Sequence, residues 1–99
     1  MIHVVAIIEA LPGQRDAVLS EFRAIMPAVH AEAGCIEYGP AIDVAGTPDA
    51  FGPDRFVVIE KWSGMDSLGA HAKAPHMIAY GKKVAPMLAS RAIHVLEPC

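Results

Sequence analysis

Two segments of the chain, Ile2–Ile8 and Arg55–Trp62, carry apolar side chains on both alternating sets of positions. In the first segment, Val4 faces one side of a sheet while Val5 and Ile7 face the other, because successive side chains of a strand point to opposite faces. A strand with one face in water alternates apolar and polar residues instead. Both faces of the predicted sheet must therefore be covered. The helices of this chain can cover only one face, so we predict a homodimer in which two copies of the sheet pack face to face.

The remaining segments place these strands in a βαββαβ order. Apolar residues recur at helical spacing from Gln14 to Ala33, and a short helix beginning near Ser63 is followed by a last helix with Pro75 at its first position. The predicted strands are Ile2–Ile8, Cys35–Val44, Arg55–Trp62 and Arg91–Leu96, and the core face of the last helix extends to Leu88. This order indicates an α+β, ferredoxin-like fold with a four-stranded antiparallel sheet.

Length and composition limit what the chain can be. Its 99 residues are expected to form a single domain, residues 1–99. The composition is 54% hydrophobic and 19% charged, which is typical of a folded protein, and the formal net charge of −3 without a basic patch argues against nucleic-acid binding. The longest apolar run, Val4–Ile8, is too short to cross a membrane, and the first residues do not resemble a signal peptide. With Cys35 and Cys99 as its two thiols and no disulfide framework, the chain is expected to be cytoplasmic.

Potential catalytic side chains gather around the end of the third strand. Glu60 and Trp62 are two residues apart, so they point to the same face of the sheet. The short helix that follows carries His71, and the helix that begins at Pro75 carries His76. A carboxylate, an indole and two imidazoles near one sheet edge of an apolar fold suggest a binding site for a small molecule.

Several short motifs in a fixed order give the chain a family resemblance. They are Pro12-Gly13-Gln14, Gly34-Cys35 followed by Tyr38, Ile59-Glu60-Lys61-Trp62, Leu68-Gly69-Ala70-His71, and Pro75-His76-Met77 with Tyr80. With these motifs the chain resembles the antibiotic biosynthesis monooxygenase (ABM) family of dimeric α/β barrels over almost its whole length. It is most similar to the small bacterial quinol monooxygenases of that family.

The resemblance implies a ferredoxin-like monomer, a homodimer built sheet to sheet, and a pocket between the sheet and the helices. It also implies oxidation of a quinol or another electron-rich aromatic compound by O₂ without a metal, flavin or haem. Haem-degrading and polyketide-tailoring relatives rely on a pocket asparagine, and this chain contains no asparagine. Quinol oxidation is therefore the activity that the resemblance favours.

The chemistry of quinol oxidation suggests roles for the clustered residues. Triplet O₂ reacts slowly with closed-shell molecules, but a quinol that has lost a proton can pass an electron to O₂. The site then needs a base that exchanges its proton near neutral pH, and imidazole is the side chain that does so. We expect His71 and His76 to act as bases and Glu60 to orient a histidine. Trp62 is expected to stack on the substrate ring.

Other residues are assigned to the edges of the site. Tyr38 and Tyr80 are expected to donate hydrogen bonds to quinone oxygens. Phe51 lies in the long loop that follows the second strand and is expected to act as a lid. Glu32 and Lys82 are interpreted as residues of solvated helix surfaces.

Three alternatives remain open on the sequence. Glu60, His71 and His76 are the types of ligand found in two-histidine, one-carboxylate iron sites, although no metal-site spacing supports this. A non-oxidative isomerase of a small carbonyl compound would use the same histidines, and a phosphorylated substrate would need cations such as Arg55 and Lys73. A protein that binds an aromatic compound or a quinone without turnover would also need an aromatic pocket.

Overall fold

The predicted ferredoxin-like arrangement is confirmed by the computed structural model, which describes residues 1–99. The strands are β1 (Ile2–Ala10), β2 (Cys35–Ala41), β3 (Arg55–Trp62) and β4 (Leu88–Leu96). The helices are α1 (Arg15–His30), α2 (Met65–Lys73) and α3 (Pro75–Val84), and α3 continues into one 3₁₀ turn at Ala85–Met87. The strands form one antiparallel sheet in the order β2-β3-β1-β4. No helix is long and apolar enough to cross a membrane.

Several element boundaries differ from the sequence prediction: α1 ends at His30 rather than Ala33, β2 ends at Ala41 rather than Val44, and β1 and β4 are longer than predicted. The predicted extension of α3 to Leu88 is wrong, because the helix ends at Val84 and Leu88 is the first residue of β4. Pro86 lies in the 3₁₀ turn between them, and a proline has no N–H with which to continue an α-helix. Helix α2 takes Gly64 rather than Ser63 as its N-cap.

The helices pack on one face of the sheet and form the core with it. Val4 and Ala6 of β1 and Phe56 and Val58 of β3 are buried against this layer, and Phe22 of α1 is 1% exposed between them. Burying a side chain of this size stabilises the fold by about 1.5–3 kcal/mol. The helical spacing of apolar residues in α1 therefore provides the apolar helix face that packs against this face of the sheet.

The opposite face of the sheet is left without cover by this chain. Val5 and Ile7 of β1 are only half-buried there, and Ile59 of β3 is 37% exposed. Leu96 of β4, on the same face, is 50% exposed. The prediction that strands of this kind would leave one apolar sheet face uncovered therefore holds for the single chain.

Strand β4 is also uncovered on the helix side of the sheet. Ile93 is paired with Ala6 and Val95 with Val4, so both point toward the helix layer. They are nevertheless 53% and 45% exposed, because the helices lie over β1, β2 and β3. A gap therefore remains between α3 and β4.

A close approach at Gly34 fixes the turn between α1 and β2 against the start of α2. Gly34 has a φ of +83°, a conformation that favours glycine, and its carbonyl accepts a hydrogen bond from the Ser63 N–H at 2.8 Å. A Cβ at this position would lie 2.5 Å from Ser67 Cβ. The absence of a side chain lets the turn residue Glu32 reach α2.

Candidate functional site

The gap between the sheet and the helices is a cavity of about 830 Å³. Most of its wall is apolar, with Val4, Phe22 and Met77 among the lining residues. The polar and charged side chains that line it are Tyr38, Glu60, His71, Tyr80, Lys82 and Arg91. A cavity of this size with a few convergent polar groups is typical of a small-molecule site.

His71 projects from α2 into the cavity wall and is only 6% exposed. Its Nδ1 lies 2.9 Å from Glu32 Oε2 and 3.1 Å from Glu32 Oε1. The imidazole packs against two aromatic rings, with centroid distances of 4.6 Å to Trp62 and 5.3 Å to Tyr38. The ring is therefore held by a carboxylate on one edge and by aromatic packing on its sides.

The hydrogen bond to Glu32 fixes the tautomer of His71. An ionised carboxylate only accepts hydrogen bonds, so Nδ1 carries the proton that it donates, and in the neutral ring Nε2 carries a lone pair. Nε2 has no hydrogen-bond partner in the protein, and it is not enclosed, since Arg15 Nε is the only buried side-chain nitrogen or oxygen without a partner. The free nitrogen of His71 therefore keeps some exposed surface, and His71 is one of the residues that line the cavity.

Glu32 joins the two histidines, contrary to its interpretation as a residue of a solvated helix surface. His76 Nε2–H donates to Glu32 Oε2 at 2.8 Å, so one carboxylate oxygen accepts from both imidazoles. The Glu32 side chain is only 13% exposed. We call Glu32, His71 and His76 the histidine cluster. No pattern in the sequence points to Glu32, because it lies in an irregular turn after α1.

The two histidines differ in their access to the cavity. His71 lines it, whereas His76 does not, and the His76 side chain is 28% exposed. His76 uses Nε2 to contact Glu32. Of the two predicted bases, His71 is the one with a free nitrogen beside the cavity.

Glu60 and Trp62 share one face of β3, and they bond to each other. Trp62 Nε1–H donates to Glu60 Oε1 at 2.9 Å, while the carboxylate that contacts the histidines is Glu32. Trp62 is fully buried and does not line the cavity, so it packs behind His71 instead of facing a substrate. Burial raises the pKa of the Glu60 carboxyl, and the Trp62 hydrogen bond and the charge of His71 oppose that shift.

Tyr38 and Tyr80 both line the cavity, with Phe22 between them. The rings of Phe22 and Tyr38 are stacked at 5.1 Å, and those of Phe22 and Tyr80 meet edge to face at 6.2 Å. Burial, followed by the nearby Glu60 carboxylate, raises the pKa of Tyr38 far above its ordinary range. Burial raises the pKa of Tyr80 to about 12. Both hydroxyls therefore stay protonated and are available as hydrogen-bond donors at neutral pH.

Phe51 lies away from this cavity. It lines a second, smaller depression of about 260 Å³ together with Val57 and Ile59, which point to the face of the sheet opposite the helices. The loop is held there by Asp43, whose carboxylate accepts hydrogen bonds from the backbone N–H groups of Phe51 and Gly52. In this position Phe51 does not form a lid over the larger cavity.

Two cations that the sequence interpretation did not place at the site line the cavity. Lys82 does so from α3 and Arg91 from β4. Arg91 could have been found, because it alternates with Ile93 and Val95 on one face of β4.

The iron-ligand set considered above is not assembled. Glu60 bonds to Trp62, both histidines bond to Glu32, and no group of three or more His, Cys, Asp or Glu side chains is placed to hold a metal ion. The cations suggested for a phosphorylated substrate, Arg55 and Lys73, do not line the cavity.

Known proteins resemble this chain over nearly its whole length. A family model described as antibiotic biosynthesis monooxygenase matches residues 1–83. The Escherichia coli (strain K12) protein named "Probable quinol monooxygenase YgiN" is 39% identical over 102 residues, covering 99% of this chain and 98% of that protein.

Solved structures have the same fold. PA3566 from Pseudomonas aeruginosa matches with a TM-score of 0.85 and 26% identity, covering 99% of this chain and 93% of that one. Rv0793 from Mycobacterium tuberculosis matches with a TM-score of 0.83 and 25% identity, covering 99% and 94%. The residues matched by the family model include the histidine cluster but end before β4.

Proposed function

The chain belongs to the antibiotic biosynthesis monooxygenase family, and from that premise we propose that it oxidises a quinol or another electron-rich phenol with O₂ in the cavity described above. The observation that carries the proposal is the geometry of His71. Its Nδ1–H is bound to Glu32, its Nε2 has no partner in the protein and is not fully buried, and the residue lines an apolar cavity with aromatic rings in its wall. This is the arrangement required of a general base that acts on a phenolic hydroxyl.

In the proposed reaction His71 Nε2 takes the proton of one quinol O–H. The quinolate passes one electron to O₂, and the resulting semiquinone and superoxide radicals join through a new carbon–oxygen bond. The peroxide then takes back the proton from His71, its O–O bond breaks, and water leaves with a hydrogen from the same ring carbon. One oxygen atom remains on the ring as a hydroxyquinone, and the quinol is the only reductant, losing four electrons overall to the two atoms of O₂.

The other residues of the cavity fit supporting roles in this reaction. Tyr38 and Tyr80 keep their protons and can donate to the oxygen on which negative charge develops. Phe22, stacked beside Tyr38, offers an aromatic wall for the substrate ring. Trp62, with its indole N–H held by Glu60, keeps the His71 ring in place.

The proposal is tested by oxygen uptake with reduced menadione as the quinol. We expect the wild-type protein to raise the rate above the uncatalysed reaction, the product to contain one additional oxygen atom from labelled O₂, and His71→Ala to remove the excess rate. An excess rate that survives in His71→Ala, or a product with no oxygen from O₂, would contradict it.

Assays without O₂ and a binding measurement with menadione separate the alternatives. A non-oxidative isomerase would convert its carbonyl substrate equally well without O₂. A protein that only binds a quinone would show saturable binding of menadione with no oxygen uptake above the background rate. Both outcomes would leave the cavity as a binding site and remove the monooxygenase reaction.

We also propose that two copies of the chain associate through the uncovered sheet face. Ile59 and Leu96 are exposed there, and a second copy presents the same apolar surface, so a two-fold axis would cover both. Light scattering coupled to size-exclusion chromatography should give the mass of a dimer, and Ile59→Lys should lower it. A monomer mass for the wild-type protein at micromolar concentration would reject the dimer.

A further inference from the structure

Arg91 faces the cavity without a partner in the protein. It is paired with Ile8 in the β1–β4 ladder, and both residues line the cavity. Other arginines near the sheet are engaged: Arg15 donates to backbone carbonyls, and Arg55 pairs with Glu9 at 3.6 Å. The Arg91 guanidinium has neither an ion pair nor a hydrogen bond, so its five donors are free.

Lys82 places a second unpaired cation on the other side of the opening. It lines the cavity from α3, while the next residue, Lys83, points elsewhere and pairs with Glu21 at 3.1 Å. Lys82 has no ion pair. We call Lys82, Arg91 and Ile93 the open end of the cavity, since they flank the gap between α3 and β4.

These cations do not reflect a generally basic surface. The chain carries a formal net charge of −3, and the only acidic residue that lines the cavity is Glu60. Glu60 is paired with Val4, whereas Arg91 is paired with Ile8, which lies four residues further along β1. Two strand spacings and four residues separate the Cα atoms of Glu60 and Arg91 by about 16 Å. Glu60 therefore cannot neutralise the open end.

The wall between the Glu60 end and the open end of the cavity determines the chemical character of the central part of the ligand. Of the 20 lining residues, 15 are hydrophobic when the two tyrosine rings are counted among them, so the part of a ligand that spans the cavity must be apolar. A ring held beside His71 and Tyr38 would leave room for a further ring or a short chain before Arg91. A guanidinium binds carboxylate and phosphate oxygens through paired hydrogen bonds, which an ammonium group such as that of Lys82 can supplement.

We propose that the natural ligand is an aromatic compound with an anionic side group, carboxylate or phosphate, which Arg91 and Lys82 bind at the open end. The inference rests on the proposed function for the identity of the reacting ring. The inference of an anionic side group depends only on the two unpaired cations. It defines a substrate class to which a neutral quinol such as reduced menadione does not belong.

Binding is measured by calorimetry with redox-inert probes, so that no turnover is needed. Naphthylacetate is compared with the neutral naphthylacetamide, and naphthyl phosphate serves as the phosphate arm. We expect an anionic probe to bind about tenfold more tightly than the amide at low salt, and the preference to decline as salt is added. The tighter of the two anionic probes identifies the side group.

Substitutions identify the residues that cause the preference. Arg91→Met should abolish most of it and Lys82→Met part of it, whereas Lys83→Met, which removes an equal charge from the adjacent position, should leave it intact. His71→Gln should also retain the preference. Because Lys82 and Arg91 are exposed, these variants are expected to fold, and the salt dependence of the wild-type protein tests the same point without substitution.

Equal binding of the charged and neutral probes, or a preference that survives in the Arg91→Met, Lys82→Met double variant, would overturn the inference. If either result were found in a protein that oxidises reduced menadione normally, only the inference of an anionic side group would be rejected. A charge preference in a protein that consumes no oxygen with an acidic hydroquinone would instead reject the proposed function and keep the anion site.

Discussion

The histidine cluster and the open end lie at different parts of one cavity and are built in different ways. In the cluster, Glu32 and His71 are largely buried, and one carboxylate oxygen satisfies two imidazole N–H groups. At the open end, Lys82 and Arg91 are exposed and have no partner in the protein. Charged groups are thus fixed in the first region and free in the second.

This difference indicates a division of labour. A general base has to be held in one orientation and one tautomer before the substrate arrives, which requires partners within the protein. A residue that recognises a charged substituent has to leave its donors free for the ligand. We therefore expect changes in the histidine cluster to lower kcat, and changes at the open end to raise KM for anionic substrates with little effect on kcat.

Replacement of His71 should have the largest effect. We expect His71→Gln to lower kcat for quinol oxidation by about a hundredfold to ten-thousandfold, the usual contribution of a general base. Lys73→Gln, an exposed change on the same helix, should leave kcat near the wild-type value. If both variants oxidise the quinol equally well, the base lies elsewhere and the division of labour fails.

Replacement of Glu32 should come next. In Glu32→Gln a single amide oxygen replaces the carboxylate, and the amide N–H₂ cannot accept from either imidazole. We expect kcat to fall about tenfold or more. Nitrogen NMR should show His71 protonated at Nδ1 in the wild-type protein and as a mixture of tautomers in the variant. An unchanged His71 spectrum would mean that Glu32 does not set the tautomer.

Gly34 tests how the cluster is brought together. Gly34→Ala adds a Cβ that would meet Ser63 and Ser67 at a φ of +83°, so the free energy of unfolding should fall by about 1–3 kcal/mol. Gly69→Ala, at an exposed α2 position with open space around it, should raise it by about 0.5–1 kcal/mol. Denaturant unfolding measures both, and equal stabilities would show that the turn tolerates a side chain.

Replacement of Glu60 should give the smallest effect, which should appear as a change in how the free energy of unfolding depends on pH. Burial raises the pKa of its carboxyl, so the folded protein binds this proton more tightly than the unfolded chain. Its stabilising contribution is complete below the ordinary carboxyl pKa and is lost as the pH rises through the raised value. The wild-type free energy of unfolding should therefore fall relative to that of Glu60→Gln over the range that begins at the ordinary carboxyl pKa of about 4 and extends upward through the raised value. A difference that stays constant across this range would mean that Glu60 is not perturbed.

Much of the fold could be predicted because its signals are local. The strands, the helical spacing of α1 and Pro75 at the start of α3 all follow from neighbouring residues, and so does the shared face of Glu60 and Trp62. Site assignments that depended on how distant segments of the chain pack together were less complete. Trp62 packs behind His71, and Phe51 lies on the opposite face of the sheet from the cavity.

The sequence by itself determined the order of strands and helices and the apolar character of both sheet faces, since periods of two and 3.6 residues can be seen along the chain. Only the tertiary structure decided that Glu32 would bind His71 and His76, which are 39 and 44 residues away. The alternation of β4 assigns Arg91 to the helix side of the sheet, but only the tertiary structure left it without a partner, because that depends on how far α3 extends over β4. Contacts of this kind arise where distant segments meet, and no local period records them.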